Sequence, residues 1–182
     1  MKVRKTNVFS LAILSGVLAF ISGFTVALPM AEISGVAILP GIIMPFLINL
    51  FFISTALISR SIGSATFASF LYGFLSIPFP ILGPPGFIFK IAIITIPTFF
   101  LDIVIWLRPS IYGCLIGGLL GSIPVNVLMI ALFALFGIPF DFMLPLLLPI
   151  ELLVAISGTS GALVAWKIGK VLHDSLNSRM NK

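Results

Sequence analysis

Three ionisable side chains sit inside long apolar stretches of this 182-residue sequence: Lys90, Asp102 and Glu151. A charge at the centre of a bilayer costs at least ~2.5 to 3.5 kcal/mol on insertion scales, so each needs a partner or a purpose. Two amides, Asn49 and Asn126, share the same kind of surroundings. At about 1.5 Å per helical residue, Lys90 falls roughly 5 Å, Glu151 roughly 13 Å and Asn49 roughly 15 Å below one end of their helices, with Asn126 at a depth like that of Asn49. Glu151, Lys90, Asn126 and Asn49 therefore define a polar layer in one half of the membrane, able to bind a small polar solute between apolar walls such as Phe46, Phe87, Phe89 and Phe142. All but Glu151 have a structural alternative, as does Asp102. Lys90 can snorkel to the interface, the two amides can bond neighbouring helices, and Asp102 can pair with a basic residue at the other rim. Glu151 is too short and too deep to escape, so it needs a buried partner.

The remaining chemistry is sparse. The sequence holds no Gly-x-x-x-x-Gly-Lys phosphate loop, no His-Glu-x-x-His pair and no Gly-x-Ser-x-Gly elbow, and only one Asp lies within a span, so it does not describe an enzyme. One cysteine, Cys114, and one histidine, His173, leave no disulfide and no thiolate or imidazole metal cluster, and no cofactor motif is present. The net charge of +5 does not point to nucleic acid, because the basic residues stand at helix ends.

The elements that would position these residues follow from composition. Only 8% of residues are charged and 60% are hydrophobic, too few polar groups to cover a water-facing surface. Uncharged runs of 26, 27, 29 and 32 residues lie between Lys5 and Glu32, Glu32 and Arg60, Arg60 and Lys90, and Arg108 and Asp141. Each exceeds the ~20 residues that cross a bilayer as a helix. Spans must be helices or a closed barrel, and long unalternating apolar runs favour helices, so the class is all-α. Six spans are expected: Val8 to Leu28, Leu39 to Ser59, Ile62 to Pro80, Phe87 to Leu107, Ile111 to Phe136 and Phe142 to Lys170. Together they form a single integral membrane domain over 1–182, with short basic tails at 1–7 and 171–182. The basic start is followed by too long an apolar run for a cleaved signal peptide.

Pro29, the cluster Pro78, Pro80, Pro84, Pro85, Gly86, and the run Gly137, Ile138, Pro139 mark the connections on one side. Nine of the ten basic residues belong to the other side, which makes that side, and both chain ends, cytoplasmic; Lys90 is the exception. The expected location is the cell membrane, with the lipid bilayer as the first partner.

Small residues recur at helical spacing. Ser15, Ala19, Gly23 and Ala27 line one face of the first span, Gly113, Gly117 and Gly121 the fifth, and Ser157, Gly161, Ala165 and Gly169 the sixth. Such faces let helix backbones approach closely, either inside the bundle or against another membrane subunit.

Taken together, these features resemble the substrate-binding S components of energy-coupling factor (ECF) vitamin transporters. The likeness rests on six spans, both ends inside, a basic start leading into a small-faced first helix, the connection Gly83, Pro84, Pro85, Gly86, and the polar layer in the outer half. That family's first helix usually carries Ala-x-x-x-Ala. This sequence has Ala12-x-x-x-Gly16 and Ala19-x-x-x-Gly23, with a literal pair only at Ala27 and Ala31, across Pro29. The resemblance implies capture of a vitamin or similar micronutrient from outside, with ATP hydrolysis supplied by separate subunits. It also implies a transmembrane coupling subunit docked on Ala12, Ser15, Gly16, Ala19 and Gly23. A stand-alone carrier or channel, or a scaffold without a solute, would share the six spans but not a pocket open to one side only.

Overall fold

The computed structural model describes residues 5–27, 29, 38–137 and 147–180. Every regular element among them is helical: α1 (Lys5–Ser22, continued by a π-turn, Gly23–Ala27), α2 (Ile38–Ser59), α3 (Ser64–Ser76), α4 (Lys90–Leu107), α5 (Ile111–Leu120), α6 (Ile123–Leu135) and α7 (Leu147–Met180). With α5 and α6 counted as one interrupted span, the expected six are present. Glu32, Ile138, Pro139, Asp141 and Phe142 lie outside the described residues.

Three spans differ from expectation: the sixth continues as helix to Met180, ten residues past its expected end at Lys170 and through most of the expected tail, and the other two differ for local reasons. The fifth breaks at Gly121 and Ser122 because Pro124, in the first turn of α6, has no N–H to give the carbonyl of Leu120. The third is shorter than expected, 13 residues from Ser64 to Ser76. That is about 20 Å, well below the ~30 Å of a hydrocarbon core. The other five, Asn7–Val26, Gly41–Ser59, Lys90–Leu107, Ile111–Leu132 and Leu147–Val171, are long and apolar enough to cross.

Ring contacts set the directions. Phe9 meets Phe67 near the starts of α1 and α3, with centroids 4.9 Å apart. Near their other ends, Phe20 of α1 and Phe24 of its π-turn meet Phe79, just past α3, at 5.4 and 5.2 Å. Thus α1 and α3 run the same way and the chain alternates. One end of the bundle carries Arg60 and Arg108, hereafter the basic end; the other carries the connection 77–89, the Pro/Gly end.

α2 lies at the centre, with Ile48, Phe52 and Ile53 almost wholly shielded, and α1, α3, α4 and α7 surround it. The close approaches depend on missing side chains. A Cβ on Gly16 of α1 would stand 2.6 Å from the carbonyl oxygen of Ala68 on α3, and one on Gly161 of α7 would stand 2.3 Å from that of Phe46 on α2. The outer surface is the reverse of a soluble protein's. Leu14, Phe74, Phe100, Trp106, Leu148 and Ile156 all point outward, which only lipid accommodates at this density.

Candidate functional site

Lys90 and Asp102, both on α4, are buried to within 1% of complete, and each meets one end of α3. The Lys90 ammonium donates to the carbonyls of Ser76 (3.0 Å), Ile77 (3.4 Å) and Phe79, the chain leaving the C-terminus of α3. At the opposite end, Asp102 Oδ2 accepts from the amides of Gly63 (2.8 Å) and Thr66 (3.1 Å) and from Thr66 Oγ1 (3.0 Å). A cation thus stands at the negative end of the α3 dipole and an anion at its positive end, and the orphaned backbone groups of both termini gain partners.

These contacts correct two expectations. Lys90 neither snorkels nor faces Glu151; an ammonium has three donors, and all three are used on carbonyls. Asp102 does not pair with a basic residue at the rim; it serves as the N-terminal cap that α3 lacks, since Gly63 has no side chain to provide one.

Asn49 holds the break in the fifth span. Its Nδ2 donates to Gly118 O (2.9 Å) and Ser122 Oγ (2.8 Å) and lies 3.2 Å from Gly158 O, joining α2 to the end of α5 and to α7. Ser122 Oγ donates in turn to Gly118 O at 2.6 Å. No side chain fits here. A Cβ on Gly158 would fall 1.8 Å from Ser122 Oγ, and one on Gly121 would fall 2.3 Å from Asn49 Oδ1. The amide nitrogen is committed to the scaffold, and Oδ1 has no hydrogen-bond partner among the described residues.

Glu151 presents the opposite situation. Both carboxylate oxygens are shielded and neither has a hydrogen-bond partner among the described residues. The Asn126 side chain on α6 approaches the carboxyl without completing that bond. Of the four expected site residues, the structure therefore brings Glu151 and Asn126 together and assigns Lys90 and Asn49 to separate places. Glu151 lies seven residues, about 10 Å, nearer the Pro/Gly end than the Asn49 junction at Gly158.

Two further polar atoms in the Pro/Gly half lack hydrogen-bond partners among the described residues: the Tyr72 hydroxyl and Thr95 Oγ1. Tyr72 is fully buried on α3, edge-on to Phe52. A Cβ on Gly23, in the π-turn of α1, would lie 3.6 Å from its hydroxyl and 3.2 Å from Met44 Cε. Sequence reasoning passed over both because neither is charged. A tyrosine amid apolar residues was the available signal, since a buried phenol normally finds a hydrogen-bond partner. Among the described residues, no three His, Cys, Asp or Glu side chains gather as a metal site.

The small face of α1 is turned inward. Ala12, Ser15 and Ala19 are 1%, 6% and 0% exposed, and Gly16 and Gly23 are buried with them. Ser15 Oγ shares a hydrogen with Thr55 Oγ1 of α2 at 2.5 Å. The expectation of a docking stripe at these five residues is corrected accordingly: they pack α1 onto α2 and α3. The face α1 turns outward is formed by Phe9, Ile13, Leu14, Leu18 and Ile21.

No protein-family model matches the chain, and no curated protein matches its sequence. Among solved structures, one described as "Crystal structure of an S-component of ECF transporter" matches with a TM-score of 0.66 at 20% sequence identity, covering 94% of this chain and 82% of that one. The chain is a multi-pass membrane protein whose helical bundle has the fold of an ECF transporter S component.

Proposed function

We propose that this protein is the substrate-capture subunit of an ECF-type transporter. It binds a vitamin or similar small micronutrient in the Pro/Gly half of the bundle and performs no catalysis of its own. Separate transmembrane coupling and ATPase subunits supply the energy for uptake. The observation that carries this reading is the pairing of an S-component fold with the Glu151 carboxyl, shielded in that same half with no hydrogen-bond partner among the described residues and with Asn126 nearby. Elsewhere this bundle satisfies its buried charges fully, as at Lys90 and Asp102. A carboxyl left unsatisfied is therefore best explained by a solute that completes it.

The interrupted span at Gly121 and Ser122 favours a second reading, a stand-alone carrier, because carriers build their sites on broken helices. One experiment separates the two. A tagged chain purified from its own membranes should bring a transmembrane coupling subunit and ATPases with it. Small molecules released from it should include one retained by wild type and lost in Glu151→Gln. Absence of partner subunits together with solute uptake by the chain alone in proteoliposomes would replace the first reading with the second.

A further inference from the structure

The charge of the solute follows from how the bundle treats its charged groups. Asp102 receives three donors, and Lys90 gives all of its own to carbonyls. Glu151 receives none among the described residues. No cation elsewhere in the described bundle is available to it: Lys5, Arg60 and Arg108 stand at the basic end, and Lys167, Lys170 and Arg179 lie four turns or more further down α7, at least 24 Å away by helical rise. The nearest polar group, the Asn126 amide, is neutral and tolerates a ligand of either sign. The carboxyl alone therefore sets the electrostatic preference of the site.

Resting on the reading above, we infer that the solute carries a positively charged nitrogen, which Glu151 binds as its counter-charge with the Asn126 amide beside it. Inside a bundle the attraction between unlike charges is little screened, and a buried charge is stable only when paired. An anionic solute would meet the carboxylate as a like charge. A neutral one would leave the carboxyl unpaired and holding a proton, the form that a carbodiimide attacks. The cation also gives selectivity without further polar residues, since a neutral analogue of the same shape forfeits the pairing.

The test uses the purified full chain in detergent and follows modification of Glu151 by dicyclohexylcarbodiimide, read by mass spectrometry of the peptide containing it, with Glu151→Gln as the unreactive control. Tetramethylammonium and choline are the probes, small enough to enter a site made for a larger cation. Each, at tens of millimolar, should slow modification about threefold, the protection given when two-thirds of the sites are filled. Sodium chloride and sodium acetate at equal ionic strength should not. Protection by acetate, or equal protection by all four salts, overturns the inference while leaving solute capture intact. A carboxyl that no carbodiimide reaches overturns both the inference and the assignment of the site to Glu151. As a second measurement, choline should raise the melting temperature of wild type and leave that of Glu151→Gln unchanged; a rise in both counts against the pairing.

Discussion

Lys90, Asp102 and Glu151 have similar sequence surroundings and opposite structural fates, so their substitutions should change stability with opposite signs. Asp102→Ala leaves the amides of Gly63 and Thr66 without an acceptor, and Lys90→Met leaves three carbonyls without a donor. Each should lower stability by about 2 kcal/mol or more, the cost of stranding buried groups that were bonded to a charge. The two sites are twelve residues, about 18 Å, apart along α4, so the double variant should show nearly the sum. Glu151→Gln removes a carboxyl that no described residue satisfies and should leave the melting temperature unchanged or raised. Thermal unfolding of the four variants in one detergent checks all of this. A Lys90→Met protein as stable as wild type would show that the ammonium does not hold α3.

At the scale of elements, the small-residue stripes are the sharpest lesson. Their spacing predicts close helix contact, and close contact is what α1 makes, with Ala19 wholly buried and Gly16 against the Ala68 carbonyl. Spacing alone does not say whether the contacted helix belongs to the same chain. Ala19→Leu should therefore destabilise the isolated protein by about 1 to 3 kcal/mol through overpacking, whereas Leu18→Ala, on the outward face of α1, should leave its stability nearly unchanged. Co-purification with a coupling subunit should then respond to Leu18 and Ile21 rather than to Ala19.

The spans and most of their ends were legible because apolar length and Pro/Gly punctuation report directly on bilayer crossing. The break before Pro124 was legible in principle, from a proline within an apolar run. The partners of Lys90 and Asp102 were not, because both bond the backbone of α3. Backbone acceptors and donors leave no trace in residue identity. For the same reason Glu151 and Asn126 could be placed at a common depth from the sequence but not shown to be neighbours.

For the whole molecule, the orientation still rests on the distribution of basic residues. Cys114, buried near the start of α5, should resist an impermeant thiol reagent from outside intact cells, while a cysteine placed at Glu32 should react from outside. Labelling of the two with the opposite preference would invert the assignment and put the Glu151 half of the bundle on the cytoplasmic side.

The capping of α3 by α4 also bears on how the chain is made. A helix of 13 residues bearing Ser64, Thr66, Ser69 and Ser76 is a poor candidate to enter the bilayer by itself, and both of its caps come from residues synthesised after it. α3 should therefore remain at the translocon until Asp102 has emerged, and then insert with α4 as one hairpin. A nascent chain halted after Gly86 should fail to place a glycosylation acceptor at its C-terminal end across the membrane. A chain carried through Arg108, with an acceptor placed in the connection 77–89, should be modified, and Asp102→Ala should reduce that modification.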